Sequence, residues 1–165
     1  MKLPKIAAAA ALLFSLVASP VQAQAQQSCA AHYLIAVPGG GNTAEGIPDY
    51  VPHGGNVFMT GMLTRLGTGG EIQPLWVSYT STPFATSEYE KSKAGGLKRA
   101  RSTVKRLANA CPSAKFSFTG YSLGADIAAT ITSDIAAGRG PIEPERVSGV
   151  ALFANPHQGG NGAVL

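Results

Sequence analysis

The sequence predicts an α/β fold in which a parallel sheet carries helices on both faces. Three observations predict it. Short apolar runs alternate with longer segments of helical period, in the order strand, helix, strand, helix, strand, helix, strand. One of the apolar runs ends in Gly120-Tyr-Ser122-Leu-Gly124, and a helical pattern starts directly behind it. With its first residues set aside, the chain is about 140 residues long, enough for one domain with a single core.

Residues 1–25 read as a secretory signal. Lys2 and Lys5 supply the charged start, residues 6–18 an apolar run, and Ser19-Pro20 a break ahead of small-residue cleavage sites at 21–23 or 23–25. The run is too short to span a bilayer comfortably, which disfavours a retained anchor. The mature domain is then 26–165, and the expected location is extracellular, with cell-wall association as a variant. Formal net charge is +4, and loss of Lys2 and Lys5 takes it to +2. With few aromatic residues and no basic–aromatic stripe, nothing points to nucleic acid. The only two cysteines, Cys29 and Cys111, read as one disulfide in an exported chain; two free thiols are the alternative. Two unclustered cysteines and three scattered histidines do not make a metal site, and no cofactor is implied.

The elements follow in order. Residues 32–37 (His-Tyr-Leu-Ile-Ala-Val) form a buried strand, closed by Pro38-Gly-Gly-Gly41 and a long Gly/Pro loop. Asn56 caps a helix over 56–66, which Gly67 ends. Residues 72–79 form a second strand, where Pro74 demands an edge position or an irregular entry. Ser87 and Glu90 form a capping box for a helix over 87–110, with Leu97, Ala100, Val104 and Leu107 on its apolar face and Gly95-Gly96 as a weak point. Lys91, Lys98, Arg99, Arg101, Lys105 and Arg106 lie elsewhere on it, most simply as a solvated face, alternatively as an anionic-surface patch. A third strand covers 115–119, a helix runs to about 137 with Gly138 as its stop, and a fourth strand covers 146–153. Parallel strands joined by helices imply right-handed crossovers.

The chemistry concentrates at Ser122. In a Gly-x-Ser-x-Gly elbow the serine sits on a strained strand-to-helix turn, and Gly120 and Gly124 remove the Cβ atoms that would hold strand and helix apart. The hydroxyl is then presented at the amino end of a helix, where N–H groups and the helix dipole favour a developing oxyanion. An acid and a base are harder to find. Asp126 is expected to cap or to face its own surroundings. His157 follows the fourth strand at the carboxyl edge of the sheet, as a solvent-facing loop residue or a group approaching the serine. His53 lies in the long first loop, and His32 opens a strand.

These residues resemble the cutinase family, especially its exported actinobacterial members. The resemblance rests on Cys29 before the first strand, the turn 36–41 (Ala-Val-Pro-Gly-Gly-Gly), Cys111 before the elbow strand, the Gly120–Ala125 motif and a fourth strand closing on Asn155-Pro156. It implies a three-layer α/β-hydrolase-type sheet of five parallel strands and hydrolysis of carboxylic esters or lipids through an acyl-enzyme. Ser122 matches the nucleophile, and the backbone N–H groups of Leu123 and Gly40 match the oxyanion donors. The family places its acid and histidine after a fifth strand, beyond the fourth-strand turn. No counterparts occur before Leu165, so the expected domain is C-terminally incomplete, with its final strand missing and its acid and base unassigned. The alternatives are a non-catalytic secreted domain that binds lipid or cell wall, and a lipase or mycolyl esterase. Oligomeric state is not readable.

Overall fold

The structure, a computed structural model, describes residues 29–54, 63, 72–82 and 86–157. The signal segment lies outside the described residues, as does the helix expected over 56–66 apart from Leu63. Four strands form one sheet: β1 (His32–Val37), β2 (Ile72–Trp76), β3 (Lys115–Tyr121) and β4 (Val147–Phe153). Every pairing is parallel, in the order β2-β1-β3-β4. Two helices are described, α1 (Thr86–Ala110) and α2 (Leu123–Ala136), with a 3₁₀ turn at Pro144–Arg146 before β4.

Period-two alternation sets the faces of the strands. Tyr33, Ile35 and Val37 of β1 and Phe116 and Phe118 of β3 belong to one buried cluster with Ala100, Val104 and Leu107 of α1 and Ile127, Ile131 and Ile135 of α2. Ile35, Phe118, Ile127 and Ile131 are no more than 1 % exposed, and burying each contributes about 1.5–3 kcal/mol. Leu34, Ala36 and Thr119 are buried as well and belong to the opposite set of positions. Pro74 stands opposite Leu34 on β2, at an edge of the described sheet, where its missing N–H leaves no ladder position empty.

The boundaries depart from the sequence reading at β4, where Arg146 closes the 3₁₀ turn and the strand starts at Val147, and in three further places. The β2 ladder stops at Trp76, although Val77 N–H still donates to the Ala36 carbonyl at 2.8 Å and residues 77–79 stay buried. β3 runs on to Tyr121, directly up to the serine. α1 begins at Thr86, which puts Ser87 inside the first turn instead of at the cap. Of the Gly95-Gly96 pair, Gly96 has a packing role: a Cβ there would lie 2.6 Å from Ile127 Cδ1 and 3.1 Å from Tyr79 Cδ2.

Cys29 and Cys111 are joined, with Cα atoms 5.6 Å apart and a sequence separation of 82. The bond ties the entry of β1 to the end of α1, where Tyr33 Oη donates to Cys111 Sγ at 3.4 Å. In the chain-entropy account a loop this long stabilises by about 4 kcal/mol. The Cys29→Ser, Cys111→Ser double variant should therefore lose about 4 kcal/mol of unfolding free energy and unfold at a lower urea midpoint. An unchanged midpoint would mean that the reduced chain is already held by its core.

Candidate active site

The serine sits where β3 ends and α2 begins. Ser122 has φ 54° and ψ −123°, in the left-handed region that side-chain-bearing residues seldom occupy. Its hydroxyl caps nothing, and the residue is half-buried. Three backbone partners hold the strained residue. Ser122 N–H donates to the Phe153 carbonyl at the end of β4 at 2.9 Å, and the Ser122 carbonyl accepts from Ala125 N–H at 2.8 Å and Asp126 N–H at 3.2 Å. The flanking glycines are required by contact. A Cβ on Gly120 would overlap the Gly124 carbonyl, and one on Gly124 would overlap the carbonyl oxygens of Val37 and Pro38.

That second contact places the turn after β1 against the elbow. A Cβ on Gly39 would lie 2.9 Å from the Tyr121 carbonyl oxygen and 3.3 Å from Ser122 Cβ. The turn is fixed from several sides: Tyr79 Oη donates to the Pro38 carbonyl at 2.6 Å, Ser81 Oγ to the Gly39 carbonyl at 3.2 Å, and Asn42 Nδ2 to the Gly40 carbonyl at 2.7 Å. Burial, with the neighbouring Tyr89 adding to it, pushes the Tyr79 hydroxyl well above the usual phenol range, so it stays a donor. Gly41 N–H donates to Ser81 and Asn42 N–H to Gly39, both at 3.1 Å. The amides of Gly39, Gly40 and Leu123 have no acceptor among the described residues. Those of Gly40 and Leu123 are the two oxyanion donors expected from the sequence, and they belong to the two segments packed together here.

The histidines separate clearly. His32 lies at the start of β1, level with Lys115 at the start of β3. That is about 20 Å of strand away from Ser122, at the opposite end of the sheet. Its Nε2 is 2.8 Å from Ser117 Oγ, and burial lowers its pKa. His53 has both ring nitrogens committed: Nδ1 lies 2.8 Å from the Val51 carbonyl and so donates, leaving Nε2, 2.9 Å from Thr43 Oγ1, to accept. It clamps the first loop.

His157 and Asp126 come together. His157 Nε2 lies 3.2 Å from Asp126 Oδ2. Asp126 is buried, 3 % exposed, in the first turn of α2, where the helix dipole favours a carboxylate. Tyr89 Oη donates to its Oδ2 and Lys93 Nζ to its Oδ1, both at 2.9 Å. Burial, then the hydrogen bond and charge of Asp126, raise the Tyr89 hydroxyl well above its ordinary range. The contacts of Tyr89 and Lys93 with Asp126 are ones that the sequence reading missed. The one signal available was an acidic residue in an otherwise apolar helical segment, which needs a buried partner. Among the described residues no cluster of His, Cys, Asp and Glu has the makings of a metal site. No described helix is long and apolar enough to cross a membrane.

The cutinase family model matches residues 21–164. No curated protein sequence matches the chain. Among solved structures, the catalytic core domain of acetyl xylan esterase from Trichoderma reesei matches with a TM-score of 0.61 at 18% identity, over 79% of this chain and 67% of that one. A cutinase-like protein from Cryptococcus sp. matches with a TM-score of 0.55 at 21% identity, over 81% and 58%. Lysin B from mycobacteriophage D29 matches with a TM-score of 0.52 at 20% identity, over 76% and 46%. The chain thus spans between about half and two thirds of the length of these proteins, and the likeness is one of fold.

Proposed function

The chain belongs to the cutinase family, and from that premise we propose that it is a secreted carboxylic ester hydrolase acting through an acyl-enzyme on Ser122. The observation that carries this reading is the strained backbone of Ser122, φ 54° and ψ −123°, between β3 and the first turn of α2. A serine held there presents its hydroxyl outward beside the amides that open the helix. Ser122 Oγ attacks the ester carbonyl carbon. The oxygen that gains charge is received by the Leu123 N–H and the Gly40 N–H, whose segments are packed together by the contact of Gly124 with Val37 and Pro38. The alkoxy group leaves as an alcohol, and water then releases the acid. The Cys29–Cys111 disulfide supports action outside the reducing cytosol. An acetyl xylan esterase among the fold neighbours agrees with the reaction class, and the substrate proposed is an ester or lipid.

The test is covalent. The chain, expressed with its disulfide formed, should react with a fluorophosphonate probe at one residue. Peptide mass spectrometry should place the label on Ser122, and the protein should release p-nitrophenol from p-nitrophenyl acetate. A folded protein labelled elsewhere, or unlabelled, would overturn the reading.

A further inference from the structure

We propose that the cleft on the sheet face turned away from α1 and α2 is a binding site for a medium-length straight-chain alcohol, whose hydroxyl bonds to Ser117. The site is separate from Ser122: Ser117 stands five residues earlier on β3, about 16 Å down the strand. Alternation along the strands puts His32, Leu34 and Ser117 on the face opposite the cluster that Phe116 and Phe118 form with the helices. Leu34, Ile72, Ser117, Gly149, Val150 and Ala151 line a cleft of about 270 Å³ there. That volume is just below the range of about 300–1,000 Å³ usual for small-molecule sites, so the occupant is small.

β4 is irregular where it borders the cleft. Phe116 pairs with Val147 and Ser117 with Gly149, so Ser148 is left over as a bulge. Gly149 follows with no side chain. A Cβ there would meet Ser117 Oγ at 3.7 Å and no other described atom within 4 Å. One glycine thus keeps the space beside the Ser117 hydroxyl open. His32 Nε2 lies 2.8 Å from Ser117 Oγ, and burial keeps the imidazole neutral at pH 7. This bond uses one of the three that a serine hydroxyl can make. In one His32 tautomer Ser117 donates to the ring and keeps both lone pairs for a ligand. In the other it accepts and keeps its O–H. An alcohol, donor and acceptor at once, fits both. An ionised carboxylate only accepts, and its charge would enter a lining with no charged side chain among the described residues. On the same face the wholly buried Thr119 carries a second hydroxyl, with no partner among the described residues. Leu34, Ile72, Val150 and Ala151 supply the apolar surface that an alkyl chain covers.

The experiment titrates straight-chain primary alcohols, from butanol to decanol, into the full chain by calorimetry, with octanoate as the charged counterpart of octanol. The same titrations are made on Gly149→Val, Ser117→Ala and Ser122→Ala, each checked for folding by circular dichroism and urea unfolding. Binding should saturate at one site and tighten about three- to fourfold per added methylene until the cleft is full. Octanoate should bind more weakly than octanol by about tenfold or more. Gly149 lies outside the left-handed region, so the strand accepts valine there. Gly149→Val should abolish binding with no fall in the urea midpoint. If it does not fold, Gly149→Ala decides, and its affinity should fall about tenfold or more through loss of Ser117 and of apolar contact. Ser117→Ala should weaken binding about 2–10-fold, the usual weight of one hydrogen bond. Ser122→Ala should bind as the parent does. Absence of saturable binding to the folded parent overturns the proposal. So does unchanged affinity in the folded Gly149 variant, or octanoate bound as tightly as octanol. Binding lost in Ser122→Ala places the alcohol at the nucleophile, which overturns this site and leaves the reading of Ser122 standing.

Discussion

Ser122→Ala should lower kcat/KM for a p-nitrophenyl ester by roughly 10⁴-fold or more, about 5.5 kcal/mol of transition-state stabilisation. The magnitude follows from what the oxygen does. Without it there is no covalent intermediate, and only the amides of Leu123 and Gly40, with whatever binding the surface supplies, remain to assist water. The same substitution should leave folding stability within about 0.5 kcal/mol. The hydroxyl caps nothing in the folded state, and alanine carries the same Cβ into the same φ of 54°. Ser122→Gly sharpens the contrast. It relieves the left-handed strain, worth about 1–3 kcal/mol, against a loss of about 0.4–1 kcal/mol from the freer unfolded chain. The glycine variant should therefore be at least as stable as the parent and equally inactive. A large fall in kcat with unchanged unfolding midpoints marks a chemical role, whereas parallel losses of rate and stability would mean that Ser122 serves the fold.

The parts of the molecule legible in the sequence are those written locally. β1 is an uninterrupted apolar run with a Pro-Gly stop, and its observed bounds match the expected ones. The elbow is written in five residues whose glycines have no other sterically acceptable identity once strand and helix touch. Pro74 announced an edge or an irregular entry, and β2 lies at an edge of the described sheet. The disulfide followed from a count of two cysteines behind a segment read as an export signal. The pairing of Asp126 with His157 was not written locally. It depends on Ala154 taking a left-handed turn that sequence would assign to glycine or asparagine, and on Ser122 borrowing the Phe153 carbonyl. Lys93 and Tyr89 were hidden for a related reason. They look like polar positions of a solvated helix until the crossing of α1 over α2 brings them onto a buried carboxylate. The end of β2 was overrun because residues 77–79 are as buried as a strand while no longer in the ladder.

Gly124→Ala should destabilise the fold by about 1–3 kcal/mol, the opposite of what helix propensity alone dictates. In an exposed helix interior, exchange of glycine for alanine gains up to about 1 kcal/mol. Gly124 is the second residue of α2, and a Cβ there would overlap the carbonyl oxygens of Val37 and Pro38. Both oxygens belong to backbone at the end of β1, so neither can rotate away as a side chain would. The helix must retract from the sheet, or the turn after β1 must move. Retraction weakens the packing of Leu123, Ile127 and Ile131, which are at most 1 % exposed; overpacking of this kind typically costs about 1–3 kcal/mol. Movement of the turn carries the Gly40 amide away from the Leu123 amide and separates the proposed oxyanion donors. Loss of one such donor costs about 10²–10³-fold in kcat. The rate should thus fall by that factor even at a temperature where the variant is fully folded. Gly95→Ala is the internal comparison, because a Cβ at Gly95 meets nothing within 4 Å. It should stabilise α1 by up to about 1 kcal/mol and leave kcat unchanged. Urea unfolding of the two variants should therefore move in opposite directions. Two shifts of the same sign would mean that α2 does not press on the end of β1, and the placement of the Gly40 amide at the nucleophile would fall with that contact.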